Sequence, residues 1–439
     1  MDYKTSEVLE FIEENDVKFI KLAFCDIFGN QKNITIMPTE LKRAFYEGVS
    51  FDASAVTGFM KVEESDLLLF PEANTMYLLP WRPQHGRVVR FFCNIKHPDG
   101  RDFEGDCRNI LKEVIKDSKQ KGFTCKIGCE SEFYLFEQDE FGNPTMIPYD
   151  KGTYCDIYPN DRCENIRRDI CLSLEEMGIK ATSSHHEQGP GQNEIDYEYS
   201  NALSAADNLI SFRSFVKTKA SENGLFASFM PRPLETECGS GLHINISLYK
   251  DNKNIFEDKN DKQYKYAESF ISGILNRIEE ITLFLNSSTN SYKRLGKDKA
   301  PKYITWSKEN RSQLIRIPAS KGDRCRMELR SPDSSCNPYI AFALLIKAGI
   351  EGIEKNLQLC NPHNINLFNA NDNEVKNLKT LPNNLNEAIN NALNSEFIKT
   401  VLPQKTINNY IDDKKQEWDI YNSITDKFKA EKELYFEKF

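Results

Sequence analysis

The amino-acid sequence predicts an α+β fold in two domains, and two observations lead to this prediction. Short strand-like runs and two short helices occupy roughly the first 100 residues, whereas long amphipathic helices alternate with charged strands beyond them. A chain of 439 residues is also too long for one ordinary domain and has a typical length for two. The turn-rich stretch HPDGRDFEGD marks the boundary, so the predicted domains are 1–103 and 104–439.

The first domain is predicted to be a small sheet with helices. Residues 5–15 have apolar side chains at helical spacing. Residues 17–37 are typical of two strands joined by a turn at Gly29 and Asn30. A short helix follows, with Pro38 near its start. Further strand-like runs lie in 67–81 and 86–100.

The second domain is predicted to contain long helices that alternate with charged strands. Helical periodicity is present in five segments, and the last of them is apolar enough for a buried helix. The chain from residue 364 onwards is rich in Asn and Lys and then becomes helical. The five helical segments are 107–122, 162–178, 204–224, 266–286 and 332–356.

The composition excludes several classes of protein. The 57 basic and 66 acidic residues give a net charge of −9, and no basic stripe indicates a nucleic-acid partner. No apolar run reaches the roughly 18 residues of a membrane-spanning helix, and the acidic N-terminus lacks the order of a signal peptide. We therefore expect a cytoplasmic protein without a membrane partner, whose 12 scattered cysteines are free thiols.

Four short segments place polar side chains at positions i and i+2 inside apolar runs. On a β-strand such residues point to the same face. Because burying unpaired charge is costly, so much charge on one face predicts bound cations beside a charged substrate. The residues concerned are Glu130 and Glu132, Glu194 and Asp196, His243, Asn245 and Ser247, and Glu328 and Arg330.

These residue types predict two adjacent metal sites. Glu187 and Glu194 bracket a loop with glycines at 189 and 191, which can fold so that both carboxylates converge on one ion. A lone strand histidine such as His243 is more often structural, but neutral imidazole is also a common metal ligand. Mostly oxygen donors with one nitrogen suit Mg²⁺ or Mn²⁺ better than Zn²⁺ or Cu²⁺. Six candidate ligands are too many for one ion.

Arginines cluster in the second half of the chain. Near divalent ions, arginine holds phosphates and carboxylates by bidentate contacts. The alternative is a surface salt-bridge network, which is disfavoured because Arg316 lies within the apolar run LIRIP. Metals with several arginines indicate phosphoryl transfer, although the sequence has neither a P-loop nor a GxGxxG motif. The cluster comprises Lys293, Arg294, Arg311, Arg316, Arg324, Arg326 and Arg330.

Taken together and in order, these segments resemble the type I glutamine synthetases of the short, non-adenylylated bacterial and archaeal branch. The likeness covers nearly the whole chain, from FCDIFGN through CESEFYLF, SSHHEQGPGQNEIDYEYSNA, GSGLHINISL and NSYKRL to MELRSPDSSCNPYIAFALLIKAG. The resemblance implies a β-grasp domain followed by a catalytic domain, with a curved antiparallel sheet flanked by helices. It also implies a dodecamer of two stacked hexameric rings, with active sites between neighbouring subunits.

The activity that the resemblance implies is ATP-dependent synthesis of glutamine from glutamate and ammonia, through a γ-glutamyl phosphate. Two or more Mg²⁺ or Mn²⁺ ions would act in each site. The ligands of the metal near glutamate and ammonia would be Glu132, Glu187 and Glu194. The ligands of the metal that bridges the ATP phosphates would be Glu130, His243 and Glu328.

The resemblance also assigns the substrate-binding residues. Arg294 and Arg330 would hold the glutamate carboxylates, with backbone contacts from Gly239. Asp52 of an adjacent subunit would take a proton from ammonium. The residues along the ATP molecule would be Thr182, Asn245, Ser247 and Arg326, with Arg311 and Arg316 on the transferred phosphoryl group.

Three positions depart from the family pattern. Cys238 replaces an asparagine that contacts glutamate, and a thiol cannot act as both amide donor and acceptor. The flap that shields the intermediate is shortened to Gly296–Lys299, with Lys299 in place of a glutamate and Asp298 one residue earlier. Thr182 replaces a glutamate near the nucleotide.

Three functions therefore stay open at the level of sequence. The chain is a glutamine synthetase with a modified flap, a related γ-glutamyl ligase for another amine or acid, or a non-catalytic ATP-binding regulatory homologue. The retained Asp52 favours ammonia, whereas the missing flap glutamate favours the other two functions.

Overall fold

The computed structural model describes residues 4–82, 85–258 and 260–439. Two sheets dominate these residues, one formed by strands between residues 17 and 96 and the other by strands between residues 123 and 329. The α+β class predicted from the sequence is therefore confirmed. The domain boundary at residue 103 lies between the two sheets and stays a prediction.

The first domain is a mixed sheet with two helices. Its strand order is β2-β1-β6-β4-β3, with β5 added beside β6, and β1 pairs with β6 in parallel. The predicted turn at Gly29 and Asn30 joins β1 to β2, whereas β3 was not predicted. The elements are α1 (Thr5–Glu14), β1 (Val17–Cys25), β2 (Gln31–Ile36), α2 (Leu41–Glu47), β3 (Val49–Asp52), β4 (Asp66–Pro71), β5 (Tyr77–Leu78) and β6 (Arg87–Lys96).

The second sheet has a long strand at its centre. This strand, β7 (Phe123–Gln138), is flanked by apolar residues on one face and carries Glu130 and Glu132 on the other. The strand order is β15-β16-β17-β13-β7-β10-β9, and all these neighbours are antiparallel except β15 and β16. The other strands are β8 (Pro144–Pro148), β9 (Ala181–His186), β10 (Gln192–Tyr197), β11 (Ser200–Asn201), β12 (Leu225–Ser228), β13 (Leu242–Lys250), β14 (Lys253–Asn254), β15 (Trp306–Lys308), β16 (Ile315–Ile317) and β17 (Met327–Leu329).

The five predicted long helices are present and cover the apolar face of this sheet. Helix α8 is almost wholly buried, as its apolar sequence predicted. Gly273 and Gly352 allow α6 and α8 to touch, because a Cβ at Gly273 would lie 2.2 Å from a backbone oxygen of α8. The helices are α3 (Cys107–Gln120), α4 (Glu164–Glu176), α5 (Ala202–Glu222), α6 (Tyr264–Leu285), α7 (Ser291–Arg294), α8 (Pro338–Glu354), α9 (Asp372–Val375), α10 (Leu385–Leu393), α11 (Glu396–Lys399), α12 (Gln404–Ser423) and α13 (Lys427–Tyr435).

The two domains are joined by polar contacts that leave little freedom between them. Arg108 of α3 binds Asp207 of α5 through two hydrogen bonds of 2.9 Å and also contacts Glu72 of the first domain. Asn337, at the start of α8, donates to the backbone oxygens of Asp26 and Ile27. The first domain is therefore held on the helical side of the second sheet. Among the described residues, no helix is long and apolar enough to cross a membrane.

Candidate active site

The charged face of the second sheet is assembled by strand register. Glu130 of β7 lies between His243 of β13 and Asp196 of β10, and Glu132 lies opposite Glu194. Because i and i+2 share a face, these side chains all point to the same side of the sheet. The prediction of one charged face is confirmed.

Glu130, His243 and Glu328 form the first candidate metal group. One ligand atom from each lies within 4.8 Å of the others. Glu130 Oε2 lies 3.0 Å from His243 Nδ1, and Glu130 Oε1 accepts a hydrogen bond of 2.9 Å from Asn245. Burial alone would raise the pKa of Glu130, but the hydrogen bonds from His243 and Asn245 lower it to about 2. This carboxylate is therefore ionised and available to a cation.

Glu194 links two further candidate metal groups. It lies within 4.8 Å of Glu132 and His243 in one group, and of His185 and Glu187 in the other. The hairpin between Glu187 and Glu194 thus brings both carboxylates together, as the sequence predicted.

Glu132 and Glu187 fall in separate groups because each is held by its own neighbours. Glu132 Oε2 accepts a hydrogen bond of 2.8 Å from the backbone of Gly241, whereas Glu187 Oε1 lies 3.1 Å from His185 Nε2. Glu187 Oε2 accepts from the backbone of Gln188.

The electrostatics of these groups fit a divalent cation. Burial, and then the charge of Glu132, raises the pKa of Glu194 well above its usual range. Burial and the charge of Glu187 likewise raise the pKa of Glu132. Buried carboxylates this close together resist ionisation unless a cation neutralises them. Oxygen donors with few nitrogens match the preference of Mg²⁺ and Mn²⁺.

Two cavities open on either side of Glu130, which lines both. The first has a volume of about 290 Å³ and contains most of the residues predicted for glutamate and its metal. The predicted residues that line it are Glu130, Glu132, Glu187, Glu194, Cys238, Gly239, His243, Arg294, Arg311 and Arg330. The second cavity has a volume of about 360 Å³. The residues predicted for the nucleotide that line it are Thr182, Asn245 and Arg326.

Two arginines donate hydrogen bonds to the carboxylate of Glu328. Arg316 Nη1 donates to it at 2.6 Å and Arg330 Nη1 at 2.9 Å. Arg294 is buried beneath Gly239 and Gly241, where its guanidinium donates to the backbone oxygens of residues 330 and 331. The backbone loop that carries Arg330 is therefore held in place by a second arginine.

Four predicted site residues line neither cavity, namely Glu328 and Arg316, which contact each other, and Ser247 and Asp52. Ser247 is buried two residues beyond Asn245, and its hydroxyl donates to the backbone oxygen of Cys325. Asp52 lies in the first domain with its side chain exposed, where its carboxylate accepts two hydrogen bonds from Ser54. These two hydrogen bonds lower the pKa of Asp52.

The flap residues close one side of the first cavity. Asp298 accepts a hydrogen bond of 3.0 Å from Arg232, and Lys299 Nζ lies 5.2 Å from the centre of the Tyr154 ring. Cys238 faces the same cavity with its sulfur 3.5 Å from Gln188. Burial, and then the charge of Asp298, raises the pKa of this thiol to about 11, so that it stays protonated at neutral pH.

Sequence reasoning missed several residues of the first cavity, and two of them had a detectable signal. Gln192 donates to Glu132 and precedes Glu194 by two residues on the same strand. The i, i+2 pattern of Glu194 and Asp196 therefore predicts that Gln192 shares their face. His185 precedes Glu187 by two residues and lies opposite Glu194 on β9. Tyr154 has no such signal, because it lies in a loop.

The fold and the paired cavities define an enzyme that brings two anionic substrates together beside clustered carboxylates. Comparisons with known proteins identify the family. Residues 16–98 match the domain family "Glutamine synthetase, beta-Grasp domain" and residues 104–433 match "Glutamine synthetase, catalytic domain". The chain belongs to the glutamine synthetase family, as its motifs predicted, and this supports the predicted activity of a glutamine-forming ligase.

Relatives match over almost the full length. A glutamine synthetase of Clostridium saccharobutylicum is 45% identical over 96% of this chain and 96% of its own. A glutamine synthetase of Methanosarcina mazei is 44% identical over 95% of each chain. A solved structure described as a GmaS/ADP complex has a TM-score of 0.87 and 27% identity over 99% of this chain and all of its own. A Plasmodium falciparum glutamine synthetase has a TM-score of 0.85 and 26% identity over 96% of this chain and 97% of its own.

Proposed function

We propose that the chain forms glutamine from glutamate, ammonia and ATP by way of a γ-glutamyl phosphate. The observation that carries this proposal is the position of Glu130, which lines both cavities and belongs to the carboxylate group with His243 and Glu328. One cavity has the arginines and carboxylates suited to an amino acid, and the other has the polar residues suited to a nucleotide. Their meeting point is where a phosphoryl group would pass between substrates.

In the first step an oxygen of the glutamate side-chain carboxylate attacks the terminal phosphorus of ATP, and the bond to ADP breaks. Arg294, Arg330 and the backbone of Gly239 would orient glutamate, while Arg311 and Arg316 would offset charge on the phosphoryl group. Thr182, Asn245, Ser247 and Arg326 would contact the nucleotide. Divalent ions would be held by the carboxylate groups, such as that of Glu130, His243 and Glu328, and would neutralise charge on the phosphates.

In the second step ammonia attacks the activated carbonyl carbon, and phosphate leaves. Ammonium must first lose a proton, and we assign Asp52 of a second copy as the acceptor. Its exposed position and its ionised carboxylate support this assignment, because a neighbouring subunit can reach it. The proposal therefore includes an oligomer with shared sites, which we expect to be the dodecamer of two hexameric rings in the cytoplasm.

A second candidate function is ligation of an organic amine to glutamate. Lys299 lies beside Tyr154 in the lining of the first cavity, in place of the flap glutamate that the family pattern has there. Cys238 adds a neutral thiol to the same wall.

The test is phosphate release by the purified protein with ATP, Mg²⁺ and glutamate, comparing ammonium with a panel of small amines. We expect the highest kcat/KM with ammonium, with glutamine as the product. Release only with an organic amine would replace the first function by the second. If neither ammonium nor any other amine supports phosphate release, both functions are rejected and a non-catalytic ATP-binding homologue remains.

A further inference from the structure

A third cavity lies between the two domains. Its volume is about 180 Å³. One wall is the turn between β1 and β2, residues 28–31, and another is helix α5. Residues 334 and 335 and the last two residues of the chain complete it. Neither of the two active-site cavities shares a residue with it.

The charged side chains that line this cavity are all positive. Arg213, Lys217 and Lys438 line it, and no carboxylate side chain is among its lining residues. Lys438 is compensated, because its Nζ lies 2.7 Å from Glu417. Arg213 and Lys217 have no ion pair within the part of the chain that the structure describes. Two uncompensated cations at a domain junction favour an anionic ligand.

Arg213 has an unused buried donor. Its Nη1 donates to the backbone oxygens of Ser334 and Cys336 at 2.7 and 3.1 Å. Its Nη2 is buried and lacks a hydrogen-bond partner among the described residues. A buried donor left unsatisfied destabilises a protein, and more so when the group is charged. An anion in the cavity would offset part of that cost through its charge, because the guanidinium has no acidic side chain beside it.

Lys217 lies one helical turn from Arg213 on α5, and no acidic side chain among the described residues pairs with its ammonium group. Its Nζ donates to the backbone oxygen of Lys438 at 3.2 Å. Burial, and then the charge of Arg213, lowers the pKa of Lys217 to about 8. A bound anion would reverse this effect by stabilising the ammonium form.

The remaining lining defines what the ligand would be. The hydroxyl of Ser214 and the amide of Gln31 provide neutral hydrogen-bonding groups, and they already contact each other at 3.3 Å. Phe229 and Phe439 add apolar surface. We propose that this interdomain cavity binds a small organic anion through one carboxylate or phosphate group, held between Arg213 and Lys217.

The experiment is calorimetric titration of the full-length protein with inorganic phosphate and, separately, with succinate. Two variants remove the charges of the cavity, Arg213→Met and Lys217→Met. Lys219→Met is the matched control, because Lys219 lies on the same helix and pairs with Glu222 instead. Arg311→Met serves as a second control, since it removes a cation from the first active-site cavity, which also attracts these anions.

We expect at least one probe to bind, with an affinity that falls about tenfold or more in each cavity variant, as expected when a charged hydrogen bond is lost. Both controls should retain this binding. If only phosphate binds, the ligand carries a phosphate group. If only succinate binds, the ligand is a carboxylic acid.

The proposal is overturned if neither probe binds the wild-type protein. It is equally overturned if the affinity is unchanged in Lys217→Met, which loses one hydrogen bond and is expected to fold even if Arg213→Met does not. Loss of binding in Arg311→Met with retention in both cavity variants would assign the anion to the active site. None of these readouts depends on catalysis, so failure of the proposed reaction would leave this test intact.

Discussion

Glu194 lies directly opposite Glu132 in the antiparallel pairing of β10 with β7. Like charges opposite each other destabilise a sheet unless something neutralises them. Here burial raises the pKa of both carboxyls, and so do neighbouring charges, that of Glu132 on Glu194 and that of Glu187 on Glu132. The surroundings therefore disfavour ionisation of both carboxyls, and a bound cation would favour it.

The first prediction concerns Glu194→Gln, which keeps the shape of the side chain and removes its charge. Mn²⁺ affinity should fall by about 100-fold or more, since even indirect ligand contacts account for 10- to 100-fold. A control on the same strand as Glu132 is Glu137→Gln, which lies outside both cavities. An unchanged Mn²⁺ titration in Glu194→Gln would contradict the assignment.

The same variant makes a prediction about pH and stability. Because the pKa of Glu194 is raised in the folded state, the unfolded chain ionises first as the pH rises, and the metal-free protein loses stability. The glutamine of Glu194→Gln cannot ionise in either state. The melting temperature of the variant should therefore exceed that of the metal-free wild type at pH 7 and approach it near pH 4. Scanning calorimetry in a chelator measures both. Equal melting temperatures of variant and wild type at pH 7 would show that ionisation of Glu194 does not destabilise the metal-free protein.

A second prediction concerns the buried pair of Asp150 and His186. His186 Nε2 lies 2.8 Å from Asp150, and its Nδ1 lies 2.6 Å from the backbone oxygen of Glu187. Both ring nitrogens face acceptors, so the ring must donate from both and carry a positive charge. Asp150→Asn should destabilise the protein by about 3–5 kcal/mol, as expected for breaking a buried ion pair.

The pH dependence of this effect follows from both partners. Burial opposes the charge of each, but the pair lowers the pKa of Asp150 and raises that of His186. The aspartate contribution is lost as the pH falls below about 4, and the histidine contribution is lost as the pH rises above about 6.5. Urea unfolding should therefore show the largest cost of Asp150→Asn near pH 6, with surface Asp169→Asn as the control. An equal cost at pH 6 and 9 would contradict a charged His186.

These residues also show what the sequence can and cannot reveal. Glu130, Glu132 and His243 were predictable because strand periodicity fixes the face to which each side chain points. Asp150 and His186 were not, because they are 36 residues apart and only the folded loop brings them together.

Short elements were equally difficult to predict. Strand β3 has four residues and β16 has three, which is too short for a periodic signal. The burial of Ser247 could not be predicted either. Strand periodicity places it on the same face as Asn245, but only the structure shows that its hydroxyl donates to the backbone of Cys325 and not into a cavity. The two cavities that divide the predicted substrate and nucleotide residues depend on loop positions, which the sequence does not specify.

A third prediction addresses the flap. Lys299→Glu places a carboxylate at the rim of the first cavity in place of an ammonium group, next to Tyr154. The KM for ammonium should fall by about three- to tenfold, because a nearby charge of opposite sign concentrates a small cation. Steady-state kinetics at low ionic strength measure this change, and Lys297→Glu tests whether the position matters. An unchanged KM in Lys299→Glu would show that the flap charge does not limit ammonium.

A fourth prediction tests the shared site. Asp52→Asn and Glu132→Ala should each be inactive, because one lacks the proton acceptor and the other a metal ligand. If each site combines Asp52 of one subunit with Glu132 of its neighbour, a random equal mixture should restore about a quarter of the sites, since the contacts in a ring are heterologous. Activity of co-expressed variants measures this recovery. A mixture as inactive as its parents would place both residues in the same subunit's site.

The most direct test of the central claim is oxygen transfer from glutamate to phosphate. Glutamate labelled with ¹⁸O in its side-chain carboxylate is incubated with ATP, Mg²⁺ and ammonium, and the released phosphate is analysed by mass spectrometry. Formation of a γ-glutamyl phosphate predicts one ¹⁸O atom in each phosphate released, matched by one molecule of glutamine. Phosphate without the label would mean that water, and not the glutamate carboxylate, attacks ATP in this site.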